Sequence, residues 1–207
     1  MIIVKEKYFK IFEDIGIKLR LKANDMIFMA EDQAEDTYLI EEGRVRAYID
    51  SRDGKEITLE VLRAGRIFGD ASFCKKAVRD VNIQAVTDSI IIKVDAKSLF
   101  EVSHQDQELM QLLFEHITDS NRMLTHKIKT LVYYNSKQKV ADFLLANEIQ
   151  QKVNFTQQEI SECLALNRVT VARVITLFKK EGFVKTDYHL ITITDQKGLE
   201  DIVKGEG

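Results

Sequence analysis

Side chains that can contact nucleic acid are concentrated in one short segment, residues 156–180. From residue 167 to residue 180 there are four basic side chains and no acidic one, although the whole chain has a net charge of -3. An arginine can donate two hydrogen bonds to a guanine, and a threonine hydroxyl can bond to a base or a phosphate. Arg168, Thr170 and Arg173 are therefore candidate contacts to bases.

The surrounding residues predict two short helices joined by a turn. Thr156, followed three residues later by Glu159, has the sequence of a capping box, and Asn167 can cap a second helix over residues 168–180. Small and apolar residues occur at the spacing with which the helices of a helix-turn-helix pack together: Ile160, Ser161, Leu164, Ala165, Leu166, Val171 and Val174. Ala165 stands where glycine is usual. The alternative is an ordinary helical hairpin whose basic face is only solvated.

Strand-like runs lie on both sides of the middle of the chain. After Gly182, residues 183–185 and 190–193 predict a β-hairpin, which would be the wing of a winged helix. In the first half, strands are predicted at residues 37–40, 45–49, 57–62, 81–86 and 89–94, with turns at 42–43, 53–54 and 64–65. Short strands at this spacing predict an antiparallel sandwich or barrel over about residues 18–95.

A long helix is predicted between the two parts, because no glycine occurs from Ser98 to Tyr134. Its stripe at helical spacing consists of Leu109, Leu113, Ile117, Ser120, Leu124, Ile128 and Leu131. One narrow apolar stripe on a long helix favours pairing with a second copy. The alternative is a helix lying across its own β-domain. Asn135-Ser136 can cap a further helix over residues 136–151, so the predicted limits are 1–104, 105–135 and 136–207.

Composition excludes several classes of protein. Neither half of the chain is basic, so DNA binding must depend on where the charges lie. Two cysteines, Cys74 and Cys163, exclude a disulfide scaffold and a four-cysteine iron–sulfur cluster, and the four histidines lack metal-like spacing. Residues 1–7 do not have the pattern of a secretory signal, and no apolar run is long enough to span a membrane. We expect a cytoplasmic protein, without a metal, that is not an enzyme, because no catalytic constellation is present.

Taken together, the chain resembles the cyclic-AMP receptor protein/FNR (Crp/Fnr) family of bacterial transcription regulators. The motifs that carry the resemblance are Glu41–Val45, Asp53–Glu56, Gly65–Asp70, Thr156–Ile160 and Asn167–Arg173, together with the long helix. The family implies an α+β fold: an antiparallel β-roll that binds an effector, a dimerisation helix, and a winged helix-turn-helix on a two-fold-symmetric operator. Its expected partners are double-stranded DNA, a second copy of the chain and RNA polymerase. The alternative is a cyclic-nucleotide-type regulatory module without DNA-binding activity.

The resemblance also implies roles for individual DNA-binding residues. Arg168, Thr170 and Arg173 match DNA-contacting positions, whereas Thr156, Gln158 and Asn167 match positions that contact phosphates. Val169 departs from the family, since many members have a glutamate there that reads cytosine. Valine cannot accept that hydrogen bond, so we expect an A/T-rich palindromic operator.

The effector pocket departs further from the family pattern. Its expected residues are Phe68, Gly69, Asp70, Arg79, Asp80, Leu124 and Thr125. Asp80 stands where cyclic-nucleotide receptors have a hydroxyl, and it would either repel a phosphate or neutralise Arg79, which suits a neutral or apolar ligand. The alternative, which a segment one residue shorter than the family's allows, is that Asp80 points away and another residue supplies the hydroxyl. Leu124-Thr125 replaces a Thr-Ser pair that faces adenine. We therefore expect a small-molecule effector other than cyclic AMP. Rare members bind haem near Cys74, but a lone cysteine favours a small buried side chain over a haem ligand.

Overall fold

Two antiparallel sheets form the first part of the chain. The computed structural model describes residue 4, residues 6–50 and residues 56–205. One sheet has the strand order β1-β8-β3-β6 and the other β2-β7-β4-β5. The strands are β1 (Ile17–Leu21), β2 (Met26–Phe28), β3 (Asp36–Glu42), β4 (Arg44–Asp50), β5 (Glu56–Arg63), β6 (Ile67–Phe68), β7 (Asn82–Ala85) and β8 (Ser89–Asp95).

Buried side chains from both sheets meet in one core. Tyr38 and Ile40 of β3 lie there with Val45 of β4 and Ile83 of β7. The chain can turn sharply between β3 and β4 because Gly43 has a φ of +89° and an added Cβ would lie 2.2 Å from the Ser89 hydroxyl. The predicted turn at residues 53–54 lies outside the described residues.

Three helices belong to, or begin in, this part of the protein. They are α1 (Glu6–Ile15), α2 (Ala96–Ser103) and α3 (Gln107–Tyr133). The glycine-free segment therefore contains two helices, because the chain leaves the helical path at His104. The second helix begins after Asp106, whose carboxylate accepts a hydrogen bond from the Leu109 amide at 3.0 Å. Helix α1 was not expected from the sequence.

Part of the predicted dimer stripe on α3 is wrong. Leu109 and Leu113 are buried in the chain's own core, where Tyr8 and Phe12 of α1 also pack. These two leucines therefore cannot belong to a surface that contacts a second copy. For this first part of α3, the alternative of a helix lying against its own β-domain is the better description. Leu124, Ile128 and Leu131, in contrast, are exposed.

Helices and one small sheet form the rest of the chain. The helices are α4 (Ser136–Ala146), α5 (Gln157–Leu164), α6 (Arg168–Lys180) and α7 (Gln196–Lys204). The sheet has the order β10-β11-β9, from β9 (Lys152–Val153), β10 (Val184–Asp187) and β11 (Leu190–Ile193). The chain divides into two compact units, residues 1–54 with 59–125 and residues 55–58 with 126–207, so the division lies within α3.

The predicted extent of α4 is too long. Asn135 forms a complete capping box with Gln138 at its start, as its sequence suggests, but the helix ends at Ala146 rather than at residue 151. Gln150 and Gln151 have positive φ angles, and Ile149 forms a β-bridge with Lys152 instead of continuing the helix. Ile149 is exposed.

The α+β fold class is confirmed: a β-sheet domain, a long helix and a helix-turn-helix with its wing follow one another along the chain. Within the described part of the chain, no helix combines the length and apolarity that crossing a membrane requires.

Candidate nucleic-acid interface and effector cavity

The first helix of the helix-turn-helix is held at its start by a reciprocal pair of hydrogen bonds. The Thr156 hydroxyl accepts from the Glu159 amide at 3.1 Å, and the Glu159 carboxylate accepts from the Thr156 amide at 2.6 Å. Because the Thr156 hydroxyl serves there as an acceptor, its hydrogen remains able to donate to a phosphate. Gln158 is exposed on the same turn, where its amide donates to Glu162 at 2.7 Å.

The turn between α5 and α6 depends on one residue in a strained conformation. Ala165 has φ 51° and ψ 41°, in the left-handed region that glycine adopts more easily. The Leu166 amide closes the turn by donating to the Ser161 carbonyl at 3.0 Å. The family's usual glycine at this position therefore has a backbone reason, and Ala165 adopts the conformation at an energetic cost.

The second helix presents one face to solvent. Its N-cap is Asn167, whose side-chain oxygen accepts from the Val169 amide at 2.8 Å, which leaves the amide hydrogens of Asn167 able to reach a phosphate. Arg168, Val169 and Arg173 are exposed and Thr170 is half-buried. The opposite face is buried against the rest of the unit, with Val171, Val174, Ile175 and Phe178 in the core. The seven predicted DNA-contacting residues thus lie on two neighbouring helices and their two N-caps.

Two further surface features were not singled out from the sequence. Thr176 lies three residues beyond Arg173 and is exposed, and helical spacing alone could have identified it. The wing ends in a two-residue turn, Tyr188-His189, in which the tyrosine is 92% exposed and its ring lies 4.1 Å from the histidine ring. An aromatic pair at the tip of a wing can contact a nucleic-acid backbone or groove.

A cavity of about 220 Å³ lies inside the β-sheet unit. Six of the seven expected effector residues line it: Phe68, Gly69, Asp70, Arg79, Asp80 and Leu124. The seventh, Thr125, is exposed, and its hydroxyl donates to the Asn121 carbonyl at 2.9 Å. Thr125 therefore does not line the cavity of its own chain: the residues of α3 that do, His116, Ser120, Met123 and Leu124, recur about once per helical turn, and Thr125 lies outside that face.

The guanidinium group of Arg79 is already engaged by the protein. It is 2% exposed, and its two terminal nitrogens donate to the Gly69 carbonyl at 2.9 Å and the Asp36 carbonyl at 2.7 Å. It also lies 4.2 Å from the centre of the Phe28 ring. Burial lowers the pKa of Arg79 below its usual value. Asp80 is exposed, so the two hydrogen bonds to carbonyls, rather than Asp80, hold the guanidinium in place.

A second buried charged group borders the same cavity. Arg66 lies 3.3 Å from a Glu60 oxygen and 3.9 Å from an Asp119 oxygen, and all three side chains are largely shielded from solvent. His116 of α3 is also buried and lines the cavity, and its Nε2 has no hydrogen-bond partner. Burial lowers the pKa of His116; Asp70 and Asp119 oppose that effect and Arg66 adds to it. The sequence gives no indication of this cluster, because its members come from β5, the β5–β6 turn and α3.

The two cysteines lie in different environments. Cys163 is buried within α5, but Cys74 is exposed, so the expectation of a small buried side chain at Cys74 is wrong. Within the described ranges, no three His, Cys, Asp or Glu side chains come together in a way that could hold a metal ion.

The fold and the two sites define a class: a β-domain of the cyclic-nucleotide-binding type joined to a DNA-binding winged helix. Residues 18–106 match the model of the cyclic nucleotide-binding domain, and residues 138–202 match the Crp-like helix-turn-helix domain. The chain is a member of the Crp/Fnr family of transcription regulators. As expected from the sequence, this family consists of regulators and not enzymes.

Individual relatives are distant but span most of the chain. The cAMP-activated global transcriptional regulator Vfr of Pseudomonas aeruginosa is 25% identical over 178 residues, which cover 80% of this chain and 83% of Vfr. The transcriptional regulator SdrP of Thermus thermophilus is 24% identical, with 90% of this chain and 94% of SdrP covered. The structure of FixK2 from Bradyrhizobium japonicum matches with a TM-score of 0.82 at 18% identity, covering 90% of this chain and 96% of FixK2. At that identity, the structural match shows the fold alone.

Proposed function

We propose that this regulator acts as a homodimer on a palindromic, A/T-rich operator, under the control of a small molecule in the β-domain cavity that is not cyclic AMP. The observation that carries the DNA-binding part is the exposed face of α6. It presents Arg168, Val169 and Arg173 beside the capped helix start, with no acidic residue on the helix. Such a face can enter a major groove, while Thr156 and Asn167 meet the flanking phosphates.

Selection of bound DNA from a random library tests the operator. We expect two inverted half-sites about one helical turn apart, because a two-fold dimer presents its two recognition helices at that spacing. Val169 is 64% exposed and can contact a thymine methyl but cannot accept from cytosine. A selected operator with an obligatory C·G pair opposite Val169 would contradict the A/T preference. An unpaired single half-site would contradict the dimer.

Substitution of Arg173 tests the recognition helix directly. Arg173→Ala should weaken operator binding by about 1–3 kcal/mol per half-site and relax the preference at one base position. Lys197→Ala is the matched control, since Lys197 is an exposed basic residue on α7, outside the helix-turn-helix. Gel shifts over a range of salt concentrations measure the operator affinity of both variants. Equal losses for the two variants would refute the assignment of Arg173 to base contact.

The size and the lining of the β-domain cavity support an effector other than a cyclic nucleotide. Arg79, at the position for a phosphate, is buried and uses two of its five N–H groups on backbone carbonyls, while its Nε–H has no hydrogen-bond partner. Asp80 is exposed and Arg79 keeps an N–H group without a partner, so the proposal depends on the cavity itself rather than on these two charges. The cavity, at about 220 Å³, is also smaller than the roughly 300–1,000 Å³ of typical ligand sites. Its lining includes Ile67, Phe68 and Leu124, which suits a compact, largely apolar molecule.

Titration calorimetry with cyclic AMP and cyclic GMP, combined with DNA-binding assays, tests this part. We expect that neither nucleotide will both bind at micromolar concentration and raise the affinity for DNA. Micromolar binding that also strengthens operator binding would refute the proposal. Binding without an effect on DNA would leave it intact, because a ligand with equal affinity for two states cannot shift them. RNA polymerase as a partner and a cytoplasmic location belong to the same proposal and follow from the family's role in transcription.

A further inference from the structure

The outward face of α3 carries a heptad repeat. Two series of residues, each spaced by seven, give the a and d positions of a coiled coil: Phe114, Asn121 and Ile128 at a, and Met110, Ile117, Leu124 and Leu131 at d. Phe114 and Ile128 are each 63% exposed, and Leu124 and Leu131 are about 40% exposed. An open groove of about 900 Å³ runs beside the first part of this face, lined by Met110 and Phe114 among others. The helix thus has one face packed on its own chain and a second, apolar face without a partner in the described chain.

Asn121 is the one polar residue among these seven a and d positions, and it is exposed. The neighbouring e and g positions from residue 118 to residue 132 are Thr118, Ser120, Thr125, Lys127 and Val132. Coiled coils commonly set their register and partner with opposite charges at e and g. With a single charged residue among these five positions, such pairs are not available here, and the register must come from the a and d positions themselves.

We propose that Asn121 is the residue that specifies self-pairing of this helix, by meeting the partner subunit's Asn121 at the two-fold axis of a parallel, in-register dimer. This inference rests on the proposed homodimer and adds to it a determinant of partner choice. In register, the two amides can donate to and accept from each other. Shifted by one heptad, or against a helix with an apolar residue at this layer, each amide would be buried without a hydrogen bond.

The proposal predicts that Asn121 lowers affinity in exchange for selectivity. An apolar residue at this layer removes the cost of burying an amide, so Asn121→Ile should tighten dimerisation by about tenfold or more. A mixed dimer of wild type and Asn121→Ile would bury one amide against isoleucine. After equal amounts are mixed, the heterodimer should therefore fall well below the statistical half.

The experiment uses full-length chains with two distinguishable tags. Sedimentation equilibrium measures the dissociation constants, and native mass spectrometry measures the mixed dimer after exchange. Lys129→Ile is the matched control, because Lys129 is exposed on the same helix at a b position, outside the seam. It should leave affinity unchanged and mix statistically with wild type. Circular dichroism checks that each variant keeps its helical content.

The outcomes separate the two levels of the proposal. Tighter self-association of Asn121→Ile together with a depleted heterodimer supports the role of Asn121. A wild-type dimer whose Asn121→Ile variant associates no more tightly, or mixes statistically, overturns that role and leaves the homodimer standing. A wild type that stays monomeric at micromolar concentration overturns the homodimer itself.

Discussion

Two alanine substitutions on α3 distinguish the face that packs internally from the face that is free to bind a second copy. Ile128 is 63% exposed, so about two thirds of its side chain could still be buried in a dimer. Fully burying an isoleucine is worth about 1.5–3 kcal/mol. Removing all but its Cβ from both copies should weaken the dimer by about 2–3 kcal/mol, or roughly 30- to 150-fold in the dissociation constant.

Leu109→Ala should act on folding instead. Leu109 is 0% exposed and lies in the core that includes Tyr8 and Phe12, so truncation leaves a cavity. The expected loss is about 2–5 kcal/mol of unfolding free energy, whereas Ile128→Ala should cost little in a monomer. Denaturant unfolding measures the unfolding free energy of each variant. The protein concentration is kept fixed, because dimerisation makes the apparent stability depend on it.

Sedimentation equilibrium on the folded variants measures the dissociation constant of the dimer, with Lys129→Ala as the control outside the stripe. If Leu109→Ala, while still folded, weakens association as much as Ile128→Ala does, the division of α3 into an inner and an outer face is refuted. The same conclusion would follow if Ile128→Ala and Lys129→Ala gave equal dissociation constants.

Three further predictions follow from local geometry. Ala165→Gly should raise the unfolding free energy by about 1 kcal/mol, because the left-handed backbone costs alanine ~1–2 kcal/mol and the greater chain entropy of glycine offsets ~0.4–1 kcal/mol of that gain. Ala172→Gly within α6 is the control and should lower the unfolding free energy by ~1 kcal/mol. Changes of the same sign for the two variants in thermal unfolding would contradict this. Because burial depresses the pKa of His116 below 6.5, the unfolded chain binds the proton more tightly, so the contribution of this residue is present above pH 6.5 and is lost as the pH falls through the folded pKa. His116→Leu should therefore flatten the loss of stability between pH 7 and pH 5, and parallel pH profiles for variant and wild type would be inconsistent with this. Asn135→Ala should cost about 1 kcal/mol by removing the cap of α4, and an unchanged denaturation midpoint would show that the cap contributes nothing.

The features that could be predicted from the sequence depend on residues within a few positions of one another. The caps at Asn135, Thr156 and Asn167 form as expected, because a cap uses a side chain and the backbone two or three residues ahead. The helix-turn-helix follows for the same reason, since its small and apolar residues lie within about twenty positions.

Contacts between residues that lie far apart in the chain could be identified only from the folded structure. Leu109 and Leu113 are indistinguishable from Ile128 by periodicity, and they differ because α1, about 100 residues earlier, packs on them. Likewise, the sequence places Arg79 at a position for a phosphate, but the carbonyl of Asp36, more than forty residues away, takes one of its hydrogen bonds. Periodicity shows that a helix face is apolar, whereas the element that covers that face is chosen by packing across the whole domain.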